Sequence, residues 1–259
     1  MEVFIHRTGM MHRMLQAVAK GYHWFASGTV DALAAERFAE KFVSRYGVEK
    51  TMRQRQWAKA KGNANAYFFI HPTYRGLTFE WWLLMTDGEH PAKVDQRPLR
   101  DARERGQRLL ISDEYEAVQR PRKGGAPAWT WQLTAPAFAE WQARVTNSIR
   151  HGKDDRQLRV VLGQTTRLPG FRGVRNQVLK LRTDAQAEWT RVRAERTPFR
   201  MPLKQGFIRF QAYKTIPLAV VRERLLSGLP PIAEEWRATR PARDLASAEA
   251  VPQPVSSVG

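Results

Sequence analysis

The chain has 259 residues, with 43 Lys and Arg against 25 Asp and Glu and a net charge of +18, so a polyanion, nucleic acid first, is its expected partner. Hydrophobic residues at 42% allow a substantial core, while the absence of cysteine excludes disulfides, Cys-type zinc sites and thiol chemistry. No apolar run is long enough to span a bilayer and the first residues, MEVFIHRTGMMHRML, carry no signal-peptide pattern, so a cytoplasmic protein without membrane contact is expected.

Glu2–His6 reads as a short strand. Thr8 is placed to cap a helix over 9–20, with Met10, Met14, Ala17 and Val18 on one side and Gly21 at its end. The aromatic cluster Tyr22-His23-Trp24-Phe25 leads into Ser27-Gly28-Thr29, and a helix over 31–46 is predicted from the stripe Val30, Leu33, Ala34, Phe38, Phe42 and Tyr46. Residues 50–62 are a dense basic stretch around Trp57. AYFFIH (66–71) and LTFEWWLLMT (77–86) read as a hairpin. Residues 95–108 suit a loop or short helix. EYEAVQR (114–120) and AWTWQLT (128–134) form a second hairpin with PRKGGAP as its tip.

After Pro136, the stripe Phe138, Trp141, Val145 and Ile149 predicts a helix, and Leu158, Val161 and Leu162 a shorter one. A turn over 168–173 precedes a long helix over 173–195 with Val174, Val178, Leu181, Ala185 and Val192 inside. A last strand over 206–211 and a helix over 217–227 follow. This order predicts an α+β fold rather than alternating β-α-β units. Four parts are expected: an α+β RNA-binding region over 1–134, a basic helical insertion over 135–197, a strand and helix over 198–237 that complete the sheet, and a disordered tail over 238–259.

The charge falls in four segments. The first is Arg53, Arg55, Lys59 and Lys61, in a stretch with no Asp or Glu between Thr51 and Arg75. The second is the hairpin tip, Arg120, Arg122 and Lys123, before two glycines that would let backbone approach a phosphate. The third is Arg172, Arg175, Arg182 and Arg193, which share one sector of the long helix. The fourth is Lys204, Arg209, Lys214, Arg222 and Arg224, suited to positioning a phosphate backbone. The plain alternatives are a solvated helix face, a flexible turn and an idle basic surface. Trp57, Tyr67, Trp129 and Trp131 lie near these segments, and one or two of them are expected to stack on unpaired bases.

No phosphate-binding loop, HExxH or GxSxG pattern is present. The six histidines at 6, 12, 23, 71, 90 and 151 form no metal-ligand spacing, so neither a metal nor another cofactor is expected. One route needs no metal: a base takes the proton of the RNA 2′-hydroxyl while a cation stabilises the phosphate. Tyr22 and His23 are the best-placed pair, with His23 as base and Arg37 as a nearby cation beside Arg13 and Lys20. The alternative for His23 is a packed member of the aromatic cluster.

The strand from residue 2, the following helix, the Tyr22-His23 pair and the late basic strand KQGFIRFQ (204–211) together resemble the repeat-processing endoribonucleases of CRISPR systems. The basic helical block resembles the type IV branch of that family. The resemblance implies ferredoxin-like (RNA-recognition-motif-like) units with a largely helical insertion. It implies a protein that binds the repeat stem-loop of CRISPR RNA, cuts the precursor on its 3′ side without metal, and stays bound as a subunit of a multi-subunit effector complex. His23 stands where relatives place their general base. KQGFIRFQ stands for a glycine-rich loop, with one glycine, Gly206, where the family has several. Two other functions compete: a non-catalytic nucleic-acid-binding accessory protein of a mobile element, and a subunit that caps a guide-RNA complex without cutting.

Overall fold

The computed structural model describes residues 1–73, 76–96, 98–122, 124–193, 207 and 213–237. The expected strand over 206–211, with Lys204 and Arg209, Lys123 at the hairpin tip and the 238–259 tail lie outside the described residues, Phe207 excepted.

The chain runs β1 (Glu2–Phe4), α1 (Arg7–Ala19), β2 (Trp24–Asp31), α2 (Ala35–Tyr46), α3 (Met52–Ala60), β3 (Ala66–Pro72), β4 (Thr78–Met85), α4 (Ala92–Asp95), β5 (Arg100–Asp101) and β6 (Leu110–Ile111). It continues with β7 (Tyr115–Arg122), β8 (Gly125–Leu133), α5 (Ala135–Arg150), α6 (Arg156–Gln164), α7 (Arg172–Arg193), β9 (Thr215–Pro217), α8 (Leu218–Leu226) and α9 (Glu234–Arg237). The strands form antiparallel sheets in the orders β3-β4-β2-β5, β6-β7-β8 and β1-β9. The class is α+β, and none of the described helices is long and apolar enough to cross a membrane.

Strand β4 shows why its sequence is a near-continuous apolar run. Both of its faces are covered, so alternation between core and solvent is lost. Phe79, Trp81, Leu83 and Met85 join Ala35, Ala39, Phe42 and Tyr46 of α2 and Val221 and Leu225 of α8 in one core. Trp82 and Leu84 face the other way, into a core shared by Met10, Met14 and Val18 of α1 and by Ala117, Trp131 and Leu133 of the second sheet. Helix α1 is therefore packed between two sheets. The buried indole of Trp131 donates to the Met11 carbonyl at 2.8 Å and that of Trp82 to the Leu110 carbonyl at 2.8 Å, which ties the layers together. A third core, Val145, Ile149, Leu158, Leu162, Leu181, Ala185 and Trp189, belongs to α5, α6 and α7.

Several sequence expectations are corrected. Thr8 lies inside α1 rather than capping it, and His6 at the cap position makes no side-chain bond. Residues 24–31 are a strand, so the next helix starts at Ala35 instead of 31; Val30 belongs to β2 and Leu33 is 72% exposed. The basic stretch contains a helix, α3, started by a capping box between Thr51 and Gln54. In α7 the buried residue of the last turns is Trp189, whereas Val192 is exposed. Strand β9, beside β1, had no counterpart in the sequence pattern.

Helix α7 also seals the open edge of β8. The Gln177 side chain accepts from the Leu133 amide at 2.7 Å and donates to its carbonyl at 2.9 Å, as a neighbouring strand would. One turn earlier, Gly173 donates its amide to Thr130 Oγ1 at 3.1 Å, and a Cβ there would lie 2.4 Å from the Trp131 carbonyl oxygen. Gly173→Ala is expected to lower stability in urea denaturation by about 2 kcal/mol, because the helix must lift off the strand. An unchanged midpoint would show that α7 is not held at that distance.

Candidate functional site

A groove follows from this packing. The outer end of the β7–β8 hairpin stands clear of its own sheet, above α1. The open side of α1, the hairpin and the turn into α7 enclose a groove of about 970 Å³. Helix α1 supplies His12 and Gln16, the segment after it supplies His23, the hairpin supplies Gln119, Arg122 and Trp129, and the α7 turn supplies Phe171 and Arg172. Gly124, Gly125 and Gly170 are also part of the wall. The groove thus holds two imidazoles, two guanidinium groups and two aromatic rings.

His23 is half-buried, with its ring centroid 6.1 Å from that of Trp129. Burial, and then the positive charge of Arg103, lowers its pKa below the ordinary histidine value; Asp101, Asp87 and the Val18 backbone act weakly the other way. Arg103 is itself held by Asp101 at 2.6 Å, which places an ion pair behind the imidazole. His12 shares a 2.6 Å hydrogen bond between Nδ1 and the Tyr213 hydroxyl, and burial lowers its pKa too. Both rings therefore favour the neutral form more than a free imidazole does.

Of the three proposed catalytic residues, the structure places only His23 in the groove. Tyr22 points into the core, its ring 4.7 Å from that of Tyr67, and burial raises its pKa. Arg37 is exposed on α2, on the side of the four-stranded sheet away from α1. Consecutive residues of an extended segment point to opposite sides, so Tyr22 and His23 cannot both face one site.

The basic segments divide between structure and surface. Arg55 donates to the carbonyls of Lys50 (3.0 Å), Val48 (2.6 Å) and Ala66 (2.7 Å) and stacks on Tyr67 at 4.0 Å; it anchors α3 rather than meeting a phosphate. Arg53, Lys59 and Lys61 are exposed, and Lys61 lies 3.9 Å from the ring of Trp57, which is itself 62% exposed. Arg120 binds Gln132 across the hairpin, on the face opposite the groove. Arg122 and Arg172 line the groove, with Arg172 steadied by the Pro121 carbonyl. Arg175 is exposed and Arg182 half-buried. Arg193 donates to the carbonyls of Ile149 (2.9 Å), Gly152 and Lys153 (3.1 Å), closing the C-terminus of α5. In the fourth segment, Arg222 pairs with Glu36 at 2.6 Å and Arg224 donates to the Pro230 carbonyl at 3.0 Å. Among the aromatics, Trp131 is fully buried and cannot stack on a base, whereas Trp57 and Trp129 keep accessible surface.

Sequence reasoning missed His12, Gln16, Gln119 and Phe171. His12 and Gln16 are four residues apart on α1, a spacing that puts them on one helix face. Among the described residues no group of three His, Asp or Glu side chains is arranged to hold a metal ion. No protein-family model, curated protein or solved structure matches the chain.

Proposed function

We propose that this protein is an RNA-binding endoribonuclease that cuts without a metal ion, and that its RNA is the stem-loop of a CRISPR repeat, held after cutting within a multi-subunit effector complex. The pairing of His12 and His23 in one groove with Arg122 and Arg172 carries the catalytic part. Cleavage by the substrate's own 2′-hydroxyl needs a base for that proton, an acid for the leaving 5′-oxygen and cations for the phosphorane. His23 takes the 2′-hydroxyl proton, and the oxygen attacks phosphorus. The P–O5′ bond breaks as His12 protonates O5′, leaving a 2′,3′-cyclic phosphate and a 5′-hydroxyl. Arg122 and Arg172 face the phosphate. The repeat stem-loop and the effector complex rest on the sequence resemblance alone. The paired ferredoxin-like units belong to this proposal as well. The order β3-β4-β2-β5 supports that finer reading: β2 and β3, joined through α2 and α3, run in the same direction with β4 antiparallel between them, and β5 lies on the far side of β2, as in a split β-α-β arrangement.

The test is incubation with a labelled repeat hairpin in EDTA. Cutting that persists in EDTA, and stops when the scissile nucleotide is 2′-deoxy, is the expected outcome. Tight, salt-sensitive binding with no cutting of any hairpin would instead favour the accessory-protein reading. Arg122→Gln is expected to reduce the slope of log affinity against log salt by about one, as loss of one phosphate contact does. An unchanged slope would take Arg122 out of the interface.

A further inference from the structure

The groove also has the makings of a nucleobase pocket. Gln119 and Trp129 are direct cross-strand partners on β7 and β8, so their side chains stand side by side on the same face of the hairpin. Both line the groove. Trp129 is half-buried against the α1 core, and the exposed Gln119 carries an amide donor and acceptor on the same face of the hairpin. His23 stands 6.1 Å from the indole, measured between ring centroids. A base laid on Trp129 would therefore present its edge to Gln119 and its sugar towards His23.

We infer that Trp129 and Gln119 form a base-specificity subsite for adenine next to the scissile phosphate. The indole gives sequence-tolerant stacking. A glutamine amide supplies the adjacent donor and acceptor that match the amino group and ring nitrogen on an adenine edge. The inference deepens the endoribonuclease proposal and rests on it for the position of the scissile phosphate.

The test uses hexanucleotides of 2′-fluoro RNA, which lack the nucleophile and cannot be cut: oligo(A), oligo(C), oligo(U) and alternating UG. Fluorescence anisotropy should find oligo(A) tightest by roughly tenfold. Gln119 is exposed, so its replacements leave the fold intact. Gln119→Ala should bring oligo(A) level with oligo(U). Gln119→Glu offers acceptors only and should favour oligo(C), whose amino group donates, over oligo(A). Trp129→Leu keeps an apolar contact with the core and should weaken all four ligands by roughly tenfold. No preference for oligo(A), or a preference that survives Gln119→Ala, overturns the subsite. Cutting of a hairpin without base preference would sink the subsite and spare the nuclease. A Gln119-dependent preference in a protein that cuts nothing would do the reverse.

Discussion

Alanine at either His12 or His23 is expected to slow RNA cleavage by roughly a hundredfold to ten thousandfold while leaving RNA affinity nearly unchanged. Neither ring is needed to hold the phosphate if Arg122 and Arg172 do so, so the loss should fall on the rate. Replacing both should cost little more than replacing one, because acid and base serve a single displacement. The pH profile adds a second readout. His23 acts as base only when neutral, and His12 acts as acid only when protonated. Burial lowers both pKa values from the ordinary value of about 6.5, so the bell-shaped optimum should lie on the acid side of it. His12→Ala should remove the alkaline limb and His23→Ala the acid limb. If His12→Ala keeps the full rate and both limbs, another group is the acid. Tyr213→Phe, which takes away the hydroxyl bonded to His12 Nδ1, should shift the alkaline limb without abolishing the rate.

What the sequence revealed and concealed follows from the range of the forces involved. The two hairpins, the helices after Pro136 and the helix over 217–227 were legible because periodicity and turn residues act locally. Strand β2 was not. Trp24–Asp31 contains Gly28, and its outer residues are exposed along an edge that the two-residue β5 covers only at Trp24 and Phe25. Gly28 accommodates Trp81, whose ring would lie 3.2 Å from a Cβ there. That contact is made by a residue 53 positions away, and no local pattern announces it. The basic segments failed for a related reason. Arg55 and Arg193 look like their exposed neighbours in sequence, but each meets carbonyls that only the tertiary fold leaves unsatisfied. Charge counting therefore grouped structural struts with exposed cations. His23 was legible by its place after the first helix; His12 needed the hairpin to be folded over α1.

His71 is expected to make the folded state sensitive to acid. It lies on β3 opposite Glu80 of β4, is fully buried, and shares a 3.0 Å hydrogen bond through Nδ1 with the Pro72 carbonyl. Its Nε2 is buried without a hydrogen-bond partner. Burial lowers its pKa to about 4, with Arg7 and Arg237 pushing the same way. The unfolded chain binds this proton below about pH 6.5, whereas the folded protein refuses it until about pH 4. Stability is therefore complete above 6.5 and declines as pH falls from there. At pH 4 the loss from this one residue reaches about 3 kcal/mol relative to pH 7.5. Urea denaturation of the native protein and of His71→Gln at the two pH values measures it. The variant should be less pH-dependent by that amount, because glutamine binds no proton. Carboxylates held below their usual range, such as Asp101 beside Arg103 and Glu188 between Arg150 and Arg191, lose stability in both proteins and cancel in the comparison. Parallel pH curves would place the acid sensitivity elsewhere. The two histidine effects oppose one another: the proposed mechanism needs a protonated His12, which acid favours, and acid also weakens the scaffold through His71. Cleavage measured after warming should therefore fall off on the acid side at a higher pH in the native protein than in His71→Gln.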